Sequence, residues 1–109
     1  MNQPPNAAVP ELSVVVPALN EQDNVTELVA QVERALVQAG IACELIVVDD
    51  GSTDQTRARL EALMPAHSWL RVLHRSRAQG QSAAMHAGIQ AARGTFVATL
   101  DADLQNDPA

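Results

Sequence analysis

The sequence contains no lysine and no tyrosine, and its 109 residues include a single cysteine, a single phenylalanine and a single tryptophan. Because only 2% of the residues are aromatic, any core must be built from aliphatic side chains. The one cysteine, Cys43, cannot form an internal disulfide, which favours a reducing compartment. The only basic residues besides histidine are seven scattered arginines in a chain of net charge −6, which argues against nucleic acid as a partner.

The absence of lysine and of two nucleotide-binding motifs argues against several classes of enzyme. Receiver domains and haloacid-dehalogenase-type phosphatases place aspartate pairs at strand ends, but both use a lysine near the phosphoryl group. A P-loop also needs a lysine, and no G-x-G-x-x-G follows the first apolar run. No apolar run approaches the ~20 residues of a membrane helix. The opening "MNQPPNAAVP" lacks the basic start and apolar region of a signal peptide, so residues 1–11 are predicted to be a flexible tail.

From residue 12 onward, short apolar runs alternate with amphipathic stretches. Strands are predicted at residues 12–17, 43–50, 70–74 and 95–101. Three helices are predicted between them: one with an apolar stripe from Val25 to Leu36, one begun by a capping box of Ser52 and Gln55, and one with a small-residue face at about 82–92. Gly40 and Gly94 are predicted to end the first and third helices. This alternation predicts an α/β fold with a parallel sheet and right-handed crossovers, an architecture that binds nucleotides.

Polar clusters follow three of the four predicted strands: "PALNEQDN", "DDGSTD" and "DADLQND". In open parallel sheets, ligands bind beyond the carboxyl ends of the strands, although such residues also serve simply as loop and capping residues. We expect Asn20, Asp49, Asp50 and Asp103 to converge in one cleft there.

Asp101 and Asp103 lie on the same side if the strand geometry continues. Two carboxylates ~4 Å apart repel by roughly 4 kcal/mol at an effective dielectric of ~20, which a cation, a shared proton or wide separation relieves. Oxygen-only ligands suit Mg²⁺ or Mn²⁺ bridging to substrate phosphates.

A calcium-binding module is an alternative of a different class. Asp101, Asp103, Gln105 and Asp107 occupy positions 1, 3, 5 and 7 of an EF-hand-like loop. Position 6 is Asn106 rather than glycine, and the sequence contains no bidentate acid at position 12, so this reading is disfavoured.

Four motifs in order carry a family resemblance: "VVVPALNEQDNV", "IVVDDGSTDQT", "LHRSRAQGQSAAMHAGIQAARG" and "VATLDADLQNDP". Together they resemble the N-terminal, nucleotide-sugar-binding half of family 2 glycosyltransferases of the Rossmann-like GT-A fold. The "DADLQ" preceded by "GQSAAMHAG" is most similar to the branch that transfers a sugar to a polyprenyl phosphate, which includes dolichol-phosphate mannosyltransferases and their bacterial undecaprenyl-phosphate relatives. The resemblance covers about residues 12–108. It implies that residues 12–109 form the nucleotide-sugar-binding part of a longer, here incomplete, domain that is inactive alone.

The resemblance also implies roles for individual residues. The residues that would line the nucleoside are Pro17, Ala18, Asn20 and Glu21. The base would hydrogen-bond to Asp49 or Asp50, and Arg75 would lie over the base or pair with the diphosphate, unless it is only a solvated charge at a strand end. The loop and helix start that close on the nucleotide would be Gly80, Gln81 and Ser82. The catalytic positions would be Asp103 and Asp101, of which Asp101 would face the ribose or the donor sugar.

The divalent ion, Mg²⁺ or Mn²⁺, would be held on the diphosphate by Asp103 and Gln105. The histidines His67, His74 and His86 match no catalytic position and are interpreted as surface or partly packed residues.

The implied reaction is an inverting glycosyl transfer from a UDP- or GDP-linked sugar, in which an acceptor oxygen attacks the anomeric carbon. A lipid phosphate acceptor is already ionised at neutral pH and needs no strong general base, whereas a saccharide hydroxyl, the alternative acceptor, would need one. The expected location is the cytoplasm, at the cytoplasmic face of the membrane in the full-length protein. Membrane contact is expected only through segments outside these 109 residues.

Overall fold

Parallel strands and helices alternate along the part of the chain that the structure, a computed structural model, describes, which is residues 9–102. The elements are β1 Leu12–Ala18, α1 Val25–Ala39, β2 Cys43–Asp49, α2 Thr56–Leu63, β3 Leu70–His74, α3 Gln81–Ala91 and β4 Phe96–Thr99. A 3₁₀ turn, Met64–Ala66, follows α2. The predicted order of four strands and three helices is confirmed for these residues. None of the helices within them is long and apolar enough to cross a membrane.

The four strands form one parallel sheet in the order β3-β2-β1-β4. In β1 and β2, every residue after the first is buried. Strands covered on both faces read as continuous apolar runs, which is the pattern from which they were predicted. The α/β class is therefore confirmed.

Helices cover the sheet on both faces, and the core between the layers is aliphatic, as the composition predicted. On one face, α1 and α2 pack on β1 and β2, and the buried side chains there include Val14, Val16, Val25, Leu28, Val29, Leu45, Val47 and Leu60. On the other face, Ala84 of α3 packs with Val15, Ile46 and Val48. A Cβ on Gly88 of α3 would lie 2.3 Å from Cγ1 of Val15. The small-residue face predicted for this helix thus permits close contact with the sheet.

Two predicted helix boundaries are wrong, because tertiary contacts use the residues involved. The helix α2 begins at Thr56, after Gln55, and not at a capping box led by Ser52. The hydroxyl of Ser52 instead accepts a hydrogen bond from the backbone N–H of Asn20 at 2.9 Å. The helix α3 ends at Ala91 rather than at Gly94. Gly94 packs against β1, where an added Cβ would lie 2.7 Å from the backbone nitrogen of Ser13. Gly40 does end α1, in the left-handed conformation, as predicted.

The strand β4 lies at an edge of the sheet and is exposed along its whole length. Phe96 is 64% exposed, and Val97 and Leu100 are also exposed. Within residues 9–102, β4 pairs with β1 on one side and no strand lies on its other side.

A buried carboxylate, that of Glu44 on β2, forms hydrogen bonds that connect the amino ends of β1, β2 and β3. Its Oε2 accepts hydrogen bonds from the hydroxyl of Ser13 at 2.6 Å and from the backbone N–H of Arg93 at 2.7 Å. Its Oε1 accepts from the guanidinium of Arg71 at 2.8 Å. Burial alone would raise the pKa of Glu44, but these hydrogen bonds lower the pKa to about 2. The ionised form is therefore the one that the fold stabilises.

We predict that Glu44→Gln lowers the free energy of unfolding at pH 7 by about 3 kcal/mol, because it removes the charge that the donors surround. The folded-state pKa lies below the ordinary value, so the stabilisation is present above pH ~4.5 and is lost as the pH falls towards 2. Urea denaturation at pH 7 and pH 3 should show a smaller pH dependence for Glu44→Gln than for the wild type. The exposed Glu11→Gln is the matched control, and an equal pH dependence in the wild type and Glu44→Gln would contradict the assignment.

Candidate functional site

A cleft lies where the chain reverses its order across the sheet. Strands β2 and β3 follow β1 on one side, whereas β4 lies on the other side of β1. In open parallel sheets, ligands bind at such a switch point, beyond the carboxyl ends of the strands. The cleft found there has a volume of about 180 Å³, and its lining residues are Pro17, Ala18, Leu19, Glu21, Asp50, Gly80, Gln81, Asp101 and Ala102.

A larger cavity of about 400 Å³ lies elsewhere, beside the C-terminal end of α1. Its lining is mainly apolar, with Leu36, Val37, Ile41 and Trp69 among the residues and Glu33 as its carboxylate. Ligand sites combine apolar walls with a few convergent polar groups, and the smaller cleft supplies both at the switch point. The smaller cleft is therefore the candidate site.

Hydrogen bonds join the loop after β1 to the loop after β2. We call the bonds between residues 20–22 and residues 52–56 the loop clasp. The Oδ1 atom of Asn20 accepts from the backbone N–H of Thr53 at 2.9 Å. The backbone N–H of Glu21 donates to Oγ1 of Thr56 at 2.8 Å. The Oε1 atom of Gln22 accepts from the backbone N–H of Gln55 at 3.0 Å. The clasp fixes the segment from which Glu21 reaches the cleft.

Asp54 organises the start of α2 within this clasp. Its Oδ1 atom accepts from the backbone N–H of Thr56 at 2.9 Å and from the Thr56 hydroxyl at 2.5 Å, and its Oδ2 accepts from the backbone N–H of Gln22 at 3.3 Å. Burial alone would raise the pKa of Asp54, but hydrogen bonds from Thr56 and Gln22 hold it below its usual value. Sequence reasoning missed this role. An aspartate two residues before a helix start is a signal for it, since Asp side chains accept from backbone N–H groups two residues ahead.

The loop after β3 is held by Asp50, which is 2% exposed. The carboxylate accepts from the backbone N–H of Gln79 at 3.2 Å and of Gly80 at 3.0 Å. The Nε atom of Arg75 lies 3.2 Å from Oδ1 of the same carboxylate. Arg75 also donates to the backbone oxygen of Ala83 at 3.2 Å and to Oε1 of Gln79. Asp50 thus connects the end of β2 to the start of α3.

The neighbouring Asp49 is buried and faces a different set of partners. Its Oδ1 atom accepts from the backbone N–H of Ser52 at 3.1 Å, and its Oδ2 atom lies 3.2 Å from Nδ1 of His74. The other ring nitrogen of His74 lies 3.3 Å from a carboxylate oxygen of Glu61 on α2. His74 therefore contacts the end of β2 through Asp49 and contacts α2 through Glu61. The position of His74 at the end of β3 did not predict these two contacts.

The structure brings together seven of the predicted site residues, at the lining of the cleft: Pro17, Ala18, Glu21, Asp50, Gly80, Gln81 and Asp101. Leu19 and Ala102 line it as well and were not predicted. Four predicted residues are not part of this lining: Asn20, Asp49, Arg75 and Ser82. Ser82 instead lines a surface depression on α3 with Gln81, Met85, His86 and Ile89, and of these only Gln81 also lines the cleft. The predicted metal ligands Asp103 and Gln105 lie outside the described residues, as does Asp107 of the calcium-loop alternative. Between residues 9 and 102 there is no group of three or more His, Cys, Asp or Glu side chains that could hold a metal ion.

A sequence profile described as glycosyl transferase family 2 matches residues 13–109. The chain belongs to glycosyl transferase family 2. It is 48% identical over 99 residues to the dodecaprenyl-phosphate galacturonate synthase of Rhizobium johnstonii, covering 90% of this chain and 29% of the relative. It is 42% identical over 98 residues to the undecaprenyl-phosphate 4-deoxy-4-formamido-L-arabinose transferase of Pseudomonas aeruginosa, covering 89% and 29%. The predicted resemblance to the polyprenyl-phosphate branch is confirmed, and the chain spans under a third of either relative.

Among solved structures, the fold is similar to glucosyl-3-phosphoglycerate synthase from Mycobacterium tuberculosis in complex with Mn²⁺, UDP-glucose and phosphoglyceric acid. The TM-score is 0.69 at 33% sequence identity, over 91% of this chain and 35% of that one. The predicted GT-A class is thereby confirmed.

We predict that Gly51→Ala is strongly destabilising, because the loop after β2 meets the loop after β3 at this residue. Gly51 has φ +77°, and an added Cβ would lie 2.4 Å from the backbone nitrogen of Ala78. Gly40→Ala is the matched control, since Gly40 has φ +66° with nothing within 4 Å of its Cβ position. Both variants share the cost of an alanine in the left-handed conformation, about 1 kcal/mol. We expect Gly51→Ala to lower the free energy of unfolding, measured by chemical denaturation, by about 2 kcal/mol or more beyond that cost. This difference measures the effect of the contact between the two loops. Equal losses in the two variants would contradict this close contact.

Proposed function

We propose that this chain forms the donor-binding part of an inverting glycosyltransferase that moves a sugar from a nucleoside-diphosphate sugar to a polyprenyl phosphate. The observation that carries the proposal is the cleft at the switch point between β1 and β4, lined by residues from the motifs after β1, β2 and β4 and from the start of α3. The names of the two relatives, which share 48% and 42% of the aligned residues, support the polyprenyl phosphate as acceptor.

The donor nucleotide has two kinds of contact available in the cleft. Pro17, Ala18 and Glu21 offer a wall for the nucleoside, and Asp50 is the one of the two candidate aspartates that lines the cleft. The diphosphate would lie near Gly80 and Gln81, where the first backbone N–H groups of α3 have no acceptor within the helix and attract anionic oxygens. One related structure, at 33% identity, holds UDP-glucose, and another, at 25% identity, holds GDP-Man, so UDP and GDP are both candidate nucleotides and UDP is tested first.

The charge of the cleft calls for a cation. Glu21 and Asp101 line it beside Asp50, whose charge is already paired with Arg75, whereas a nucleoside diphosphate is itself an anion. The oxygen-rich donor set suits Mg²⁺ or Mn²⁺, and we assign the ion to Asp103 and Gln105 with Asp101 facing the ribose or the donor sugar. When bound, a divalent ion stabilises the negative charge that develops on the leaving diphosphate.

The acceptor chemistry follows from the phosphate. An ionised phosphate oxygen attacks the anomeric carbon, and the bond from that carbon to the diphosphate oxygen breaks with its electron pair leaving on the diphosphate. The configuration at the carbon is inverted, and no proton has to be removed from the nucleophile. Because lipid phosphates lie at a membrane surface, we propose that the full-length protein works at the cytoplasmic face of the membrane.

The test is the thermal stability of the full-length protein with UDP, in the presence and absence of Mn²⁺. At about 100 times its dissociation constant, UDP with Mn²⁺ should add about 2.7 kcal/mol and raise the melting temperature by several degrees. UDP alone should leave it unchanged, because the carboxylates of the cleft repel the diphosphate. Asp103→Ala should abolish the gain, whereas the exposed Asp23→Ala, a matched loss of charge on a neighbouring loop, should keep it.

A stabilisation of equal size without the metal, or an Asp103→Ala protein that still responds, would remove the "DADLQ" motif from the donor site. GDP with Mn²⁺ serves as the comparison nucleotide. Formation of a polyprenyl-phosphate sugar from the corresponding UDP-sugar would then test the acceptor, and transfer only to a free saccharide would contradict it.

A further inference from the structure

Asn20 adopts a backbone conformation that most residues avoid. Its φ is +54°, the one positive φ among non-glycine residues between 9 and 102. The left-handed conformation is unfavourable for an ordinary L-residue, and asparagine adopts it more readily than most. The turn places Leu19 and Glu21, on either side of Asn20, at the lining of the cleft, while Asn20 itself is not part of that lining.

The side chain of Asn20 is engaged with the loop after β2. Its Oδ1 atom accepts from the backbone N–H of Thr53 at 2.9 Å and of Asp54 at 3.3 Å. The hydroxyl of Thr53 lies 3.4 Å from the same oxygen. In return, the backbone N–H of Asn20 donates to the hydroxyl of Ser52 at 2.9 Å. In these contacts the side chain of Asn20 only accepts hydrogen bonds, and its backbone N–H donates one.

These contacts join two residues that line the cleft from different loops. Glu21 directly follows Asn20, and Asp50 lies two residues before Ser52 in the loop that Asn20 holds. A change in the Asn20 contacts would therefore alter the spacing between Glu21 and Asp50. It would also release the backbone N–H groups of Thr53 and Asp54 to solvent.

We propose that Asn20 is a positioning residue of the donor site: its Oδ1 atom holds the loop after β2 so that Glu21 and Asp50 face the same nucleotide. This inference rests on the proposed function. It replaces the direct contact with the nucleoside that the sequence resemblance implied for Asn20.

Three substitutions separate positioning from direct contact. Asn20→Asp keeps an acceptor at Oδ1 and tolerates the left-handed backbone, but removes the side-chain N–H groups. Asn20→Gly keeps the backbone freedom and removes the acceptor. Asn20→Ala removes the acceptor and also opposes the backbone conformation.

The affinity of the full-length protein for UDP with Mn²⁺ is measured by calorimetry. We expect Asn20→Asp to bind within about twofold of the wild type, and Asn20→Gly and Asn20→Ala to bind at least tenfold more weakly, a factor equivalent to 1.4 kcal/mol. If Asn20→Asp loses as much affinity as Asn20→Gly while its Thr53 and Asp54 N–H groups stay as protected as in the wild type, the loop contact does not set the affinity and the proposal is overturned. If Asn20→Gly binds normally, the clasp does not position the site and the proposal is likewise overturned.

Amide hydrogen exchange provides a second readout that needs no ligand. The N–H groups of Thr53 and Asp54 should exchange faster in Asn20→Gly than in the wild type and Asn20→Asp, while the core amides of Val15 and Val47 remain protected in all three. Unchanged exchange at Thr53 and Asp54 would overturn the positioning role whatever the affinities. A wild-type protein that binds neither UDP nor GDP with Mn²⁺ would overturn the proposed function and the donor role of Asn20, even with the expected exchange pattern.

Discussion

The buried carboxylate of Asp50 is the interaction on which the geometry of the cleft depends. A charge that is 2% exposed is stable only where donors surround it. Here the donors are the backbone N–H groups of Gln79 and Gly80 and the guanidinium of Arg75. Because Asp50 directly follows β2, an interior strand, these bonds fix the start of α3 relative to the sheet. The helix terminus that we propose for the diphosphate is therefore set by a side chain from another element.

The carboxylates at the two ends of the sheet have different surroundings. At the amino end, Glu44 is enclosed by Ser13, Arg71 and the backbone of Arg93, which complete its hydrogen bonds. At the carboxyl end, Glu21 and Asp101 line an open cleft. Unlike the amino end, the carboxyl end thus retains acidic groups that a cation with an anionic ligand can join. This asymmetry agrees with the location of ligand sites at the carboxyl ends of parallel strands.

The sequence was informative where the physical cause was local and periodic. Continuous apolar runs predicted the strands, and a small-residue helix face predicted the close contact at Gly88. The failures occurred where short polar residues bond across loops: Ser52 meets the backbone of Asn20 instead of capping a helix, and Gly94 fits against β1 instead of ending α3. Three of the residues predicted after β1, Pro17, Ala18 and Glu21, line the cleft, whereas Asn20 has a left-handed backbone angle and does not, a difference that no pattern of residue types reveals.

We propose that a nucleoside diphosphate and a divalent ion share the cleft between β1 and β4. A crystal structure of the full-length protein with UDP and Mn²⁺, with anomalous data to locate the ion, tests it most directly. We predict density for the diphosphate beside Gly80 and Gln81, and an anomalous peak close to both the diphosphate and Asp103. Nucleotide density in the apolar cavity beside Trp69, or a manganese peak away from the diphosphate, would contradict it.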